Sequence, residues 1–463
     1  MSSTLVLQEV KKDFPRYLEE FRSFVRQPSI SADGTGMEEA CDLLIESMRK
    51  IGINTKKIRV KGGYPVVYGN IAFDGNRKTL LVHSHYDVQP VNPSARSTGR
   101  WVDASLKDWT VEPFGAKIID NKIYGRGTVD NKGPLFAWLK AVEAYISASG
   151  RTPVNLIFLS EGENEIGSPN LATFVADHRD LFEEADANIT ASPGQGPSGR
   201  PVVNLGWKGI LYVEVTPRAL AADISSTFAP IVENPLWRLV EALNTLRNGD
   251  RVTIEGFYDE VEDVTKEDLE LIRANPFDED DLAESLKVDK FSRGLTGSAI
   301  MEAVLTKTTC NLDGLSGGYA DRGMKTVLPA KAMAKIDFRL LPKQDPKDIL
   351  AKLRTHFLKT GFEDMTITML AATPPSKTPA TEAIAQAVIK SARDAFGMEP
   401  EVWPWAKSNA PDYVFTQILG LPSLGCGCGF YDLCHGPNEY LEISQFMKGI
   451  MLAISVMSEY SKL

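Results

Sequence analysis

Four short motifs in this 463-residue chain gather the residue types that bind metals. They are His83-Ser84-His85-Tyr86-Asp87, Gly125-Arg126-Gly127-Thr128-Val129-Asp130-Asn131-Lys132-Gly133, Glu161-Gly162-Glu163-Asn164-Glu165 and Cys434-His435-Gly436-Pro437-Asn438-Glu439. The chain has five histidines, and three of them, His83, His85 and His435, fall inside these motifs. His85, Asp130, Glu165 and His435 form a set that suits zinc or another divalent cation, since imidazole and carboxylate are its ordinary nitrogen and oxygen donors. A metal hydrolase needs such ligands to hold the ion while leaving one position open for water. His85 and Asp87 stand two apart at the end of an apolar run, so they project to one side, and Asp87 is placed to orient the imidazole from behind. Asp130, just before a predicted helix, could bridge two ions. Taken alone it reads more simply as a helix N-cap. Four such motifs in one chain outweigh the simpler reading.

The elements that position these motifs alternate. Residues 79–82 and 154–159 are short apolar runs that predict buried strands, and each ends at a motif. Residues 131–148 predict a helix, as does the apolar rhythm over 9–52 up to Gly52. Strands alternating with helices imply a mostly parallel sheet, and ligands collect at the C-terminal ends of its strands. The middle of the chain reads as strand 209–215, amphipathic helix 234–248, strand 331–341, helix 345–360 and strand 365–370. The fold expected is therefore α/β, with an inserted α+β domain. Its parts are 1–206 and 376–463 for the larger domain and 207–375 for the insertion. The strongly acidic stretch Glu255–Glu284 reads as a solvated excursion.

Composition excludes several classes. A hydrophobic content of 43% and a charged content of 24% are ordinary for a globular protein, and the length exceeds what one core supports. A net charge of -10 argues against nucleic acid or an anionic membrane as partner. No apolar run is long enough to span a membrane, and the first residues do not read as a signal peptide. The five cysteines, odd in number and sparse, point to a reducing, cytoplasmic setting. Cys426-Gly427-Cys428 near Cys434 reads as a glycine-lined buried turn, because a single spacer residue is fewer than structural zinc sites use.

On these motifs the chain resembles the metallopeptidase family that includes carnosinases, cytosolic nonspecific dipeptidases, acetylornithine deacetylase and succinyl-diaminopimelate desuccinylase. It is most similar to the dipeptidase branch. The likeness runs from His85-Tyr86-Asp87-Val88-Gln89-Pro90 through Asp130-Asn131-Lys132-Gly133 to His435-Gly436-Pro437-Asn438-Glu439. It includes Lys325-Thr326-Val327-Leu328-Pro329 and Asp337-Phe338-Arg339-Leu340 in the insertion. The resemblance implies a two-metal catalytic domain and an inserted lid that forms a homodimer. It implies that His85 binds one ion, that Asp130 bridges both, and that Glu165 and His435 bind the other. Zinc is the ion implied, with manganese or cobalt as alternatives. Asp87 stands behind His85, and Arg339 matches an arginine that binds the carboxylate of a small-molecule substrate.

The departures are as informative. Asn164 stands where the family has the glutamate that acts as general base, and an amide cannot accept that proton. Ser192 stands at the best-aligned position for an aspartate ligand, and Ile224 where a histidine reaches into the partner's site. The family's Gly-Ser-Ile-Pro loop appears as Ser408-Asn409-Ala410-Pro411, which places Asn409 beside the substrate. The expected activity is hydrolysis of a C–N bond in a dipeptide, N-acyl amino acid or related metabolite, through an altered site. The alternatives are a rearrangement, cyclisation or ligation on the same scaffold, or a non-catalytic homologue.

Overall fold

Strand residues in the motif-bearing region are apolar on both faces, and both faces are covered. In the computed structural model, which describes residues 3–71, 74, 75, 77–91 and 109–463, an eight-stranded sheet forms the larger unit. Its order is Asn54–Ile58, Val66–Ile71, Asn155–Glu161, Thr79–His85, Ala187–Ser192, Ser423–Gly427, Val202–Asn204 and Glu401–Trp403. The four central strands, from Asn155–Glu161 to Ser423–Gly427, run parallel. Leu80, Val82, Leu156 and Phe158 point into the main core, built with helices Ser3–Arg26, Lys132–Ser149, Ala383–Phe396 and Ile443–Tyr460. Leu81, Ile157 and Leu159 point the other way, against Leu171, Phe174, Val414 and Phe415. Continuous apolar runs, rather than alternating ones, follow from burial on both sides.

The expected helix over 9–52 is two helices, Ser3–Arg26 and Met37–Lys50. Between them lie Pro28 and two glycines with positive φ, Gly34 (82°) and Gly36 (70°). At Gly36 a side chain would also press on the Pro28 carbonyl, which lies 2.2 Å from where a Cβ would stand.

The insertion forms its own antiparallel sheet, ordered Thr309–Gly317, Ala332–Leu340, Gly209–Thr216, Thr366–Thr373. Alternate residues of Gly209–Thr216 are buried, and Leu211, Val213 and Val215 meet Ala334, Ile336 and Phe338 in a separate core. Helix Pro346–Lys359 packs on this sheet, and helix Pro235–Asn244 does so beside it. Helix Pro235–Asn244 ends four residues before the predicted Asn248, because Arg247–Asn248 turns into a short hairpin with Arg251–Val252. The strand Thr309–Gly317 has no counterpart among the sequence predictions. It is a largely exposed edge strand broken by a bulge at Leu312/Gly314, so it lacks an apolar rhythm.

The acidic stretch is not simply solvated. It contains helices Lys266–Ala274 and Glu279–Leu286, the first opened by a capping box between Thr265 and Asp268. Asp268 is buried and accepts from Lys377 Nζ at 2.8 Å. Asn275 exchanges two hydrogen bonds with Val402, at 2.9 and 3.0 Å. Charges read as a solvent face are in part docked on the larger unit, through partners more than a hundred residues away. Among the described residues no helix is long and apolar enough to cross a membrane.

Candidate metal centre

Three strand ends and two loops meet at the C-terminal edge of the parallel strands. His85 ends its strand, and its neighbour across the ladder is Glu161, the last residue of the next strand. Asp130 lies in the loop that enters helix Lys132–Ser149, and its peptide bond to Asn131 is cis. It is not the N-cap; Asn131 holds that position. Glu165 sits in the turn after strand Asn155–Glu161, and His435 in the loop before Tyr440–Glu442.

One ligand atom from each of His85, Asp130 and Glu165 lies within 4.8 Å of the others. His85 Nε2 stands 3.1 Å from Asp130 Oδ1, and His435 Nε2 stands 3.0 Å from Asp130 Oδ2. His435 Nε2 is also 3.2 Å from Glu165 Oε2. The four predicted ligands are therefore together. Burial works against charge at every one of them, and their mutual attraction outweighs it at three. Asp130 is held well below the usual carboxylate range by His435 and His85. His85 is raised well above an ordinary imidazole by Asp130 and Asp87, and His435 is pushed to about 10 by Glu165 and Asp130. Glu165 is raised, by burial first and then by the charge of Asp130. Glu165 Oε1 is buried and bonds nothing. Two imidazoles and two carboxylates gathered this closely, one with a buried oxygen that has no hydrogen-bond partner among the described residues, are a donor set that fits a divalent cation.

The surroundings aim these groups. Asp87 Oδ1 accepts from His85 Nδ1 at 3.1 Å, the orienting contact expected of it. Asp87 also accepts the backbone N–H groups of Asn164 (3.2 Å) and Glu165 (2.9 Å), so it ties two motifs together. Gln89 Nε2 donates to Glu165 Oε2 at 2.8 Å. Glu439 is a residue the sequence reading quoted and gave no task. It is fully buried and accepts from Arg126 Nη1 (2.9 Å) and from the N–H groups of Gly127 (3.0 Å), Val129 (2.7 Å) and Asp130 (3.1 Å). Arg126 Nη2 in turn donates to the His435 carbonyl at 3.0 Å. A single carboxylate thus shapes the Asp130 loop and, through Arg126, the His435 loop. The signal available in sequence was its place in the motif, four residues after His435.

Other predicted residues fall around this cluster. Ser192 ends the strand beside that of His85, and its Oγ is buried without a hydrogen-bond partner. Asn164 is half-buried, with Nδ2 3.4 Å from Glu161 Oε1. Glu163 is not free to replace a base. Its oxygens take Asn170 Nδ2 at 3.0 and 2.9 Å, and Oε1 also takes the Tyr64 N–H at 3.2 Å. Arg339 reaches from the inserted sheet to the segment after it, with Nη1 3.2 Å from Asn409 Oδ1 and Nε 3.2 Å from Asp337 Oδ1. Ile224 lies in a two-residue ladder with Leu328. His356 is packed in its helix against Thr245 Oγ1 at 3.0 Å, and burial lowers its pKa. All five cysteines are buried and form no disulfide among the described residues, and burial pushes Cys426 and Cys428 up to about 12, which keeps them as protonated packing groups.

Known proteins share this arrangement. The model for Peptidase family M20/M25/M40 matches residues 81–459. A Cys-Gly metallodipeptidase of Schizosaccharomyces pombe is 27% identical, over 99% of this chain and 98% of its own. The human Beta-Ala-His dipeptidase is 29% identical, over 86% of this chain and 78% of its own. The crystal structure of an M20 family metallo-carboxypeptidase, Sso-CP2 from Sulfolobus solfataricus, superposes with a TM-score of 0.88 at 36% identity, covering 96% of this chain and 99% of that one. A match that takes in every motif of the metal centre settles the classification: the chain belongs to peptidase family M20/M25/M40 and is a metal-dependent hydrolase.

Proposed function

We propose that this chain hydrolyses the C–N bond of a dipeptide, an N-acyl amino acid or a related amino-acid-derived metabolite with a free carboxylate. The observation that carries the reading is the convergence of Asp130, Glu165 and His435, with His85 beside them. These residues would hold a divalent ion, zinc in this reading and manganese or cobalt as alternatives. Such an ion supplies a Lewis acid and makes water a nucleophile near neutral pH. Asp87 keeps the His85 imidazole in place. Arg339, tied to Asn409, offers a planar guanidinium to the substrate carboxylate. Names of relatives that are dipeptidases or a carboxypeptidase support a peptide-like substrate. They do not favour a rearrangement or ligation.

The site proposed is an altered one. Asn164 cannot take a proton from water, and Ser192 offers no carboxylate to an ion on His85. The chain therefore holds one ion firmly, through Asp130, Glu165 and His435. Residues 207–375 are assigned to a lid, and 1–206 with 376–463 to the catalytic domain. The lid carries strongly exposed apolar side chains, Met324 (95%) and Trp237 (65%) among them, which supports its pairing in a homodimer. Five buried cysteines that form no disulfide among the described residues support a reducing, cytoplasmic setting. Metal analysis with a panel of dipeptides and N-acyl amino acids tests the activity, and light scattering tests the dimer. The expected result is one ion per chain, turnover of carboxylate-bearing amides only, and a dimer. A loaded protein that cleaves nothing in the panel overturns the hydrolytic reading.

A further inference from the structure

Behind Asn164 a row of buried polar groups runs away from the metal centre into the sheet. Glu161 Oε1 receives Asn164 Nδ2 at 3.4 Å, Ser168 Oγ at 2.9 Å and His83 Nε2 at 3.1 Å. On its other side His83 Nδ1 lies 3.4 Å from Thr190 Oγ1. That hydroxyl bonds to the carboxylate of Asp412, at 3.0 and 3.1 Å, and Ser423 Oγ donates to the same group. Glu161, His83, Thr190 and Asp412 are all buried, and the Phe415 ring covers His83 at 4.9 Å. The register explains the alignment. His83, Glu161 and Thr190 sit on three adjacent parallel strands, at positions whose side chains share the face that carries His85.

Such a row is costly in a sheet interior. Apolar residues of similar size would fill the space with less desolvation. What it supplies is direction. An ionised carboxylate only accepts, so Glu161 turns the donors around it inward. Asn164 is then fixed twice, by its backbone N–H on Asp87 Oδ1 at 3.2 Å and by its NH₂ group on Glu161. Among the described residues its Oδ1 accepts nothing.

We propose that Glu161 and His83 are positioning residues for Asn164. They hold its carboxamide with the NH₂ group inward and the oxygen presented at the wall of the metal centre, where it accepts a hydrogen bond from the attacking water. Asn164 thereby orients the water without taking its proton. The row provides geometry that the missing carboxylate once combined with basicity. This inference rests on the hydrolase reading.

A double-mutant cycle tests it. Glu161→Leu removes the acceptor and releases the Asn164 NH₂ group. We expect kcat to fall about tenfold with KM and metal content unchanged, and the same substitution to have no effect in an Asn164→Ala background. His83→Leu should lose activity by a similar factor, and His83→Gln, which keeps a donor near the Nε2 position, should recover most of it. Equal losses in both backgrounds, or no loss in the parent, overturn the proposal. If Glu161→Leu fails to fold, Ser168→Ala removes one of the donors that fix Glu161 and is read by the same cycle. A second readout needs no turnover. With ¹⁵N-asparagine labelling, the Asn164 side-chain signal, identified by its loss in Asn164→Ala, should shift in Glu161→Leu and stay put in a remote His178→Gln control. A stationary signal overturns the positioning role. A shift in a protein that hydrolyses nothing leaves the row intact and rejects the hydrolase reading instead.

Discussion

On the His435 side of the metal centre every ligand is held by a further residue. Glu439 gathers the N–H groups of the Asp130 loop, Arg126 holds the His435 carbonyl, and Gln89 holds Glu165. On the Ser192 side the supporting frame is equally dense, but the chemical groups differ. Asp87 still orients His85, while an amide stands at residue 164 and a hydroxyl, buried and unbonded, at residue 192. The comparison teaches that, under the proposed function, the two sides serve different purposes. One keeps the donors that bind a cation. In the proposed reading the other keeps shape and polarity without the carboxylates that would bind a second ion and take a proton. Against the pattern that the family resemblance implies, Asn164, Ser192 and Ile224 depart together, which a single substitution would not explain.

The sharpest way to break this contrast is at Asp130. Asp130→Asn should empty the braced side, with loss of the bound ion and a fall in kcat/KM of at least about a thousandfold. Metal analysis beside steady-state kinetics checks it, and an Asp130→Asn protein that keeps both ion and rate would show that the centre lies elsewhere.

Next in size is Asn164→Glu. It returns a carboxylate to the depleted side and should raise amide hydrolysis by about a hundredfold, in line with the usual contribution of a general base, at constant metal content. No gain would mean that Ser192 and Ile224 also stand in the way of the older chemistry.

Glu439→Gln probes the brace. It exchanges a carboxylate that accepts four hydrogen bonds for an amide, and should weaken zinc binding by about 10- to 100-fold, as loss of a ligand's supporting partner commonly does. Competition against a fluorescent chelator measures the change. An unchanged affinity would mean the Asp130 loop keeps its shape unaided.

Ser192→Asp asks whether the depleted side can be refilled. The bound zinc should rise from one ion per chain toward two at high zinc, with the second held more weakly. Titration calorimetry that still finds a single site would place the loss at more than this one residue.

The smallest effect concerns Asp412, at the far end of the buried row. Burial, opposed by His83, Ser423 and Thr190, raises its carboxyl from 3.8 to about 6. A raised folded pKa means the native state holds the proton longer than the unfolded chain, so this group's contribution to stability falls as pH rises from about 4 to about 6. Asp412→Asn should remove that slope, worth about 2 kcal/mol between those limits. Urea unfolding at both pH values checks it, and identical slopes in the two proteins would show that Asp412 titrates normally.

How much of this was legible in sequence varies by element. The strands ending at His85 and Glu161 were readable, because burial on both faces leaves short continuous apolar runs with a motif at the end. The residues that cluster at the candidate centre were readable because His, Asp and Glu in such places are few. The strands Gly209–Thr216 and Ala332–Leu340 of the four-stranded sheet showed their alternation. The edge strand Thr309–Gly317 did not, since an exposed edge with a bulge imposes little pattern. The acidic helices were misread as solvated because their anchors, Lys377 and Val402, are distant in sequence.

The sequence by itself determined the candidate donor set and the sheet that carries it. Residue type and local periodicity are enough for those. Only the tertiary structure decided which groups support which. That Glu439 serves Asp130, that Glu163 is spent on Asn170 and Tyr64, and that His83 stands behind Asn164 all depend on hydrogen bonds between segments far apart in the chain. Such bonds are short-ranged and directional, so they exist only once the fold has brought donor and acceptor within about 3 Å of each other.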